Sequence, residues 1–286
     1  VNHKIVHLPS GLYFVATPIG TARDITLRAL DVLASADLIA AEDTRSLRKL
    51  MEIHGVPLNG RQIVAYHDHS GAGARGRLLD ALQDGQSVAY ASEAGMPLIA
   101  DPGYDLSRAA AEAGHLVTVA PGASAALAAL TLAGLPTDAF FFAGFLPNAS
   151  GARRKRLEEL AAVPGTLVFY ESPKRIAASL RDMADVLGER SAALCRELTK
   201  KFEEVRRDSL AVLADGLEHA PVKGEIVVLV DRNRGTTVSD GDLDSDLRAA
   251  LKGNSVKDAA AMVAEAHNLP RRKIYQLALD IAKDED

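Results

Sequence analysis

Short apolar, β-branched runs alternate with amphipathic stretches along most of this chain. Residues 12–16, 38–42, 63–67, 87–91 and 117–120 read as strands. Several are apolar throughout, as strands covered on both faces are. Between them the apolar spacing turns helical. Asp24 can cap a helix whose Leu27, Leu30, Val32 and Leu33 mostly share one face. Residues 77–83 and 107–113 repeat the pattern. Strand–helix alternation of this kind predicts a largely parallel α/β sheet.

An Ala-rich helical segment, 123–133, leads into a second alternating region. There, 140–144, 166–170, 192–196, 201–207 and 225–231 read as strands, and 157–162, 173–187 and 210–217 as helices. The pattern predicts a boundary near 121–124 and a partition into an N-terminal α/β domain (1–122), a second α/β domain (123–236) and a C-terminal extension (237–286). Residues 232–246 are polar and rich in Asp, Gly and Thr, as linkers are. Two helical stretches follow, 255–266 and 271–282, around Asn268-Leu269-Pro270. That outline fits a helix-turn-helix or a plain helical hairpin.

Composition narrows the picture. The 286 residues suffice for two ordinary domains, and 48% hydrophobic with 25% charged residues is a globular balance. No apolar run approaches the roughly 20 residues that span a bilayer, so no membrane partner is expected. The lone Cys195 excludes an internal disulfide and any multi-thiolate metal site, which suits a cytoplasmic protein. A net charge of −5 argues against coating nucleic acid by bulk electrostatics, and the absence of Trp argues against a broad stacking surface.

Missing motifs exclude several chemistries. There is no G-x-x-x-x-G-K-[ST] for phosphoryl transfer, no G-x-G-x-x-G after the first strand, and no G-x-S-x-G elbow. Present instead are three Gly/Pro loops at strand ends: Ala16-Thr17-Pro18-Ile19-Gly20-Thr21; Ser92-Glu93-Ala94-Gly95-Met96-Pro97, running on to Asp101-Pro102-Gly103-Tyr104; and Pro121-Gly122-Ala123-Ser124-Ala125. Ligands of α/β sheets sit beyond the carboxyl ends of strands, where Gly permits close backbone approach and Pro stiffens the turn. Each loop alone can equally be a tight turn.

These loops, with Asp24 to Leu30, Ala41-Glu42-Asp43-Thr44-Arg45, Gly134 to Asp138, Gly144-Phe145-Leu146-Pro147, Phe169-Tyr170-Glu171-Ser172-Pro173, Arg196 to Lys201 and Lys223-Gly224-Glu225, resemble the tetrapyrrole methylase superfamily. Within it they resemble the ribosomal small-subunit methyltransferase I family. The likeness runs in order from about Gly11 to Asp231, and the tail resembles that family's helical extension. Thr21, Glu93, Met96 and Ala123 depart from the family pattern, which has Asn, Asp, Thr and often Pro there.

The resemblance implies two α/β domains with a cleft between them, a homodimer, and S-adenosylmethionine as cofactor. On it, Pro18, Gly95, Met96, Pro97, Ser124 and Ala125 belong to the cofactor site, which Tyr170 and Ile226 close from the second domain. The implied reaction is 2′-O-methylation of a cytidine ribose in 16S rRNA of the small subunit. Methylation of a corrin or porphyrin precursor and non-catalytic binding of ribosomal RNA are the alternatives.

Glu42, Asp43 and Arg45, at a strand end, are candidates for polarising a hydroxyl or gripping RNA; Asp43 or Thr44 capping a helix, with Arg45 paired to an acid, is the bland reading. In His67-Asp68-His69, His67 is a candidate substrate contact, and a metal pair lacks further ligands. Glu171 can orient substrate or cap a helix. Arg196, Lys200 and Lys201 are candidate phosphate contacts, as are Arg153 and Arg154 in the densest basic run and Arg271 and Arg272 at the last helix. Both basic runs can equally be solvated helix faces.

Overall fold

The computed structural model describes residues 2–67, 72–219, 222–233, 240–266, 269 and 271–284. The chain divides into two units, Val1–Arg232 and Asn233–Asp286. In the first unit, β1 (Gly11–Val15), β2 (Leu38–Ala41), β3 (Ile63–Ala65), β4 (Ser87–Ala91) and β5 (Val117–Ala120) form one sheet in the order β3-β2-β4-β1-β5. Every pairing in it is parallel.

Alternation along β1 explains why that strand is apolar throughout. Tyr13 and Val15 join Leu30 and Leu33 of α1 (Leu27–Ser35) and Leu47 and Met51 of α2 (Thr44–Ile53) on one face. Leu12 and Phe14 join Leu78 and Leu82 of α3 (Ala72–Gln83) and Leu106 of α4 (Tyr104–Glu112) on the other. Because β1 lies between β4 and β5, the loops leaving the carboxyl ends of those three strands are neighbours.

One expected cap moves. Thr26, not Asp24, caps α1, its side chain accepting from Ala29 N at 3.1 Å. Asp24 ends a short 3-10 turn, Ala22–Asp24, and Ile25 is extended (φ −78°, ψ 141°), so the helix starts later and Leu27 is left 64% exposed.

The chain continues through α5 (Ala125–Ala133) into β6 (Phe140–Phe145), α6 (Ser150–Leu160), β7 (Thr166–Glu171), α7 (Ile176–Leu187), β8 (Ser191–Arg196), β9 (Glu204–Ser209), α8 (Leu210–His219) and β10 (Ile226–Val230). The second sheet has the order β6-β7-β10-β8-β9. Only β6 and β7 pair in parallel; β10 is antiparallel to both β7 and β8, and β8 to β9. Alternation of strand and helix thus yields a parallel first sheet but a mixed second one. The physical reason is that β8 turns straight into β9 without a crossover helix, and β10 returns between β7 and β8.

The second unit has its own core. Leu243 and Leu247 of α9 (Asp240–Leu251), Val263 of α10 (Val256–Ala266), and Ile274, Ala278 and Ile281 of α11 (Arg271–Asp284) pack together. Residues 240–246, expected as linker, are helical: the buried Leu243 and Leu247 are spaced i, i+4, and the polar residues between them disguised that stripe. Ser255 caps α10, accepting from Asp258 N at 3.2 Å. Asp68, His69, Asn268, Pro270 and 234–239 of the expected linker lie outside the described residues. Among the described residues no helix is long and apolar enough to cross a membrane.

Candidate functional site

The first wall of the site is backbone sewn to backbone. Thr17 and Gly95 exchange N–H···O bonds of 3.0 Å in both directions. The Thr17 hydroxyl donates to the Ser92 and Glu93 carbonyls at 3.2 Å, and Ser92 Oγ donates to Gly95 O at 2.6 Å. Gly95 has φ +84°, a left-handed conformation that favours glycine, and an added β-carbon would stand 3.2 Å from Ile19 Cγ2. The third loop closes against the first: a β-carbon on Gly122 would lie 2.9 Å from that of Ala16. Leu98 and Ala100, either side of Ile99, hold φ of +70° and +60°, strain of a kind that concentrates at functional sites.

The second wall is fixed by polar side chains. Ile226 opposes both Glu171 and Arg196, so the carboxyl ends of β7 and β8 and the start of β10 share one sheet edge. Glu171 is buried and accepts from Ser179 Oγ (2.5 Å), Ser172 N (2.8 Å) and Arg175 Nη2 (3.2 Å). Beside it Tyr170 meets Phe142 and Phe145 edge-on at 4.9 and 5.7 Å. Burial raises its phenol pKa, partly offset by the Ala126 backbone, so the ring stays neutral.

The loop after β8 joins the two walls. Glu197 and Thr199 are both left-handed, at φ +51° and +61°. Glu197 Oε1 accepts from Glu225 N and Lys200 Nζ at 3.0 Å. The Glu225 N–H, ahead of the opposing effect of burial and with Lys200 assisting, holds this carboxyl below its usual range. Thr199 Oγ1 accepts from Thr21 N at 3.2 Å, across to the first wall.

Between the walls lies a cavity of about 450 Å³, the size of a small-molecule site. Ile19, Met96, Ile99, Phe145, Leu198 and Ile226 give it apolar surface, and Glu42, Glu93, Asp101 and Glu225 bring carboxylates to it. An apolar nucleoside slot beside negative charge fits a nucleoside carrying a sulfonium and an ammonium group.

Of the residues expected at a cofactor, Gly95, Met96, Ser124, Ala125, Tyr170 and Ile226 line this cavity, whereas Pro18 and Pro97, in the same loops, are not among its lining residues. Of Glu42, Asp43, Arg45 and His67, Glu42 lines it; its Oε2 accepts from Glu93 N at 3.3 Å. Asp43 caps α2, accepting from Arg45 N (2.7 Å) and Ser46 N (3.2 Å), and the Arg45 side chain is 92% exposed. His67 is exposed beyond β3.

The basic candidates divide by their partners. Arg153 is buried against Asp182 (Nη2–Oδ2 2.6 Å). Arg154 meets Asp185 at 2.6 Å, Arg196 meets Glu204 at 3.0 Å, and Lys200 is held by Glu197 and Glu225. Lys201, Arg271 and Arg272 are exposed. Among the described residues no group of His, Cys, Asp and Glu could hold a metal ion. Burial pushes the Cys195 thiol up to about 11, so it supplies no nucleophile.

Ile99, Ala100, Phe145 and Leu198 also line the cavity, and sequence reasoning gives them no role. Apolar residues in a Gly/Pro loop read as packing unless the opposite wall is known. A G-x-G-x-x-G spacing does occur once, after the third strand, from Gly71 to Gly76. Gly71 lies outside the described residues; Gly73 and Gly76 are inside α3 with nothing within 4 Å of an added β-carbon, so neither serves close backbone approach.

Comparison with known proteins gives these features relatives. Residues 11–214 match the family model "Tetrapyrrole (Corrin/Porphyrin) Methylases", and residues 237–282 match "RsmI C-terminal HTH domain". A protein of Mesorhizobium japonicum named "Ribosomal RNA small subunit methyltransferase I" is 48% identical, over 96% of this chain and 93% of its own length. The protein of that name from Vibrio cholerae is 44% identical over 96% of each. Among solved structures, a cobalt precorrin-4 methyltransferase superposes with a TM-score of 0.59 at 17% identity, over 77% of this chain and 94% of its own. A uroporphyrin-III C-methyl transferase from Thermus thermophilus, complexed with S-adenosyl homocysteine, gives 0.55 at 20% identity, over 77% and 97%. These two likenesses show the fold.

Proposed function

The chain belongs to the ribosomal RNA small subunit methyltransferase I family, on the tetrapyrrole methylase fold, and from that premise we propose that it 2′-O-methylates the ribose of a cytidine in 16S rRNA of the small subunit, with S-adenosylmethionine as donor. The observation that carries this reading is the two-walled cavity of about 450 Å³. Gly95, Met96, Ser124, Ala125, Tyr170 and Ile226 hold the cofactor, with Pro18 and Pro97 stiffening its loops. When bound, the cofactor supplies an electrophilic methyl group on a sulfonium.

The protein's share is position and charge. Rigid turns on one side and the Glu171 and Glu197 brackets on the other fix the cavity walls before substrate arrives, and alignment of reacting atoms about 3–3.5 Å apart lowers the barrier. Glu42, lining the cavity, orients the ribose hydroxyl and takes its proton. Asp43 and Arg45 shape the adjoining helix start, and His67 contacts substrate outside the cavity.

RNA is held by exposed cations, Lys201 in the loop after β8 and Arg271 and Arg272 on α11, while Arg153 and Arg154 tie α6 to α7 and Arg196 and Lys200 brace strand ends of the second sheet through their acidic partners. The reading extends to a cytoplasmic homodimer. Exposed Leu127 and Phe140, with Leu130 and Leu135 in one open apolar groove, support a partner surface there. It also keeps the partition 1–122, 123–236 and 237–286, supported by the end of β5 at Ala120 and the independent helical core after 232.

The test is titration calorimetry with S-adenosylmethionine, followed by methyl transfer to unmethylated small subunits and, in parallel, to a porphyrinogen. Binding with label on a cytidine ribose is expected; no binding, or label on the porphyrinogen alone, overturns the reading. Glu42→Gln should lower kcat at least about 100-fold, measured at saturating cofactor because the lost carboxylate also weakens the pull on a cationic ligand. A variant as fast as the parent would remove Glu42 from the chemistry.

A further inference from the structure

The basic residues that stand out in the sequence are mostly spent on acids, which raises the question of which cations remain at the cavity mouth. Three strand ends meet on the second wall: β7 leaves through Glu171, β10 enters at Ile226 opposite it, and β8 leaves at Arg196 on β10's other side. Three residues past Glu171 comes Lys174, and three before Ile226 comes Lys223. Antiparallel pairing brings both out at one edge, flanking the cavity-lining Ser172, Pro173 and Gly224.

Both lysines are exposed, and neither has an ion pair, hydrogen bond or ring contact through its side chain among the described residues. Their backbones, by contrast, are pinned. Lys223 O accepts from Arg196 Nη1 at 3.1 Å, and the turn at Lys174 is closed by Arg175 N and Ile176 N on Ser172 O, both 3.1 Å. Glu225, the exposed acid beside Lys223, is neutralised by Lys200 Nζ at 2.9 Å. The first wall has the opposite character, with Glu42, Glu93 and Asp101 facing the cavity. A polyanion is therefore repelled by one lip and attracted by the other, while a cationic cofactor prefers the first.

We infer that Lys174 and Lys223 are a phosphate clamp: two cations on fixed backbone at the second lip that grip the backbone phosphates of the RNA strand beside the nucleotide entering the cavity. This rests on the RNA reading above. Such contacts are sequence-independent and fix register, and they release counterions, so they are read by salt.

The experiment measures binding of the full-length protein to unmethylated small subunits, with cofactor present, from about 50 to about 200 mM salt. Lys174→Gln, Lys223→Gln and the double variant are compared with the parent and with Lys4→Gln, an exposed lysine whose backbone is tied to Asp31 beside α1. Each clamp lysine should reduce the slope of log K against log salt by about 0.7–0.9, and the pair by about twice that. The double variant should raise KM for subunits while its cofactor titration and kcat match the parent. A parental slope in the double variant, or an equal loss in Lys4→Gln, overturns the clamp and leaves the RNA reading standing. A parent that binds cofactor but shows no subunit binding overturns both.

Discussion

The two lips of the cavity are built by different means. The first is made of backbone: Thr17 and Gly95 paired in both directions, Gly122 against Ala16, and left-handed Leu98 and Ala100. The second is made of polar side chains on strand ends: Glu171 on three donors, and Glu197 on Glu225 N and Lys200. A backbone lip is spoiled by adding an atom, because there is no room for it. A bracketed lip is spoiled by removing one, because buried donors lose their acceptor. Substitutions can test that difference directly.

The largest effect is expected at Glu171. Glu171→Ala strips the acceptor from Ser179, Ser172 N and Arg175 inside the second sheet, and should cost about 3 kcal/mol of unfolding free energy in urea titration. Glu93→Ala is the matching change on the first lip, where the carboxylate is exposed, and should stay within about 0.5 kcal/mol. Equal losses at the two positions would abolish the distinction.

Next comes Gly20, where the lips touch. An added β-carbon would fall well inside van der Waals contact distance of Thr199 Oγ1 and 2.7 Å from the Leu198 carbonyl oxygen, so backbone has to shift. Gly20→Ala should cost about 1–3 kcal/mol. Part of that should appear as at least about tenfold weaker cofactor binding by calorimetry, since the strain forces the lips apart. An unchanged dissociation constant would mean that the contact does not set the opening.

The same difference governs what could be read from the chain. The backbone lip was legible because Gly and Pro declare loop geometry at a strand end, and Gly95 lines the cavity. Parallel pairing of the first sheet followed from strand–helix alternation. The second lip was not legible in this way. Arg153 and Arg154 look like a basic surface until Asp182 and Asp185 on α7 come against them, and Lys200 like a phosphate contact until Glu225 arrives from β10. Those partners lie 25 to 31 residues away in the chain. α7 comes against α6 after the parallel β6–β7 crossover, and Glu225 reaches Lys200 through the antiparallel return of β10, and local pattern announces neither approach. Lys174 gave no signal and Lys223 stood only as part of the Lys223-Gly224-Glu225 motif with no role, because a cation is informative here only once its neighbours are known to be spent elsewhere. On the helical tail, i, i+4 leucines in an Asp-rich run were read as linker composition rather than as a buried stripe.

The smallest effect separates charge from shape in the bracket at Glu197. Its carboxyl titrates below the usual glutamate value because the Glu225 N–H and Lys200 favour the ionised form against the cost of burial. A depressed value means that ionisation stabilises the fold. That contribution is complete above the ordinary glutamate value of about 4.3 and fades as pH falls through the lower folded value. Glu197→Gln keeps the size of the side chain and an acceptor oxygen for Glu225 N but loses the charge facing Lys200. It should cost about 1 kcal/mol or less near neutrality, with the gap between parent and variant constant down to about pH 4.3 and closing below it. Urea unfolding of both proteins across that range reads the gap. If it instead widens with acid, the carboxyl is destabilised in the fold and the second lip is not held by that charge.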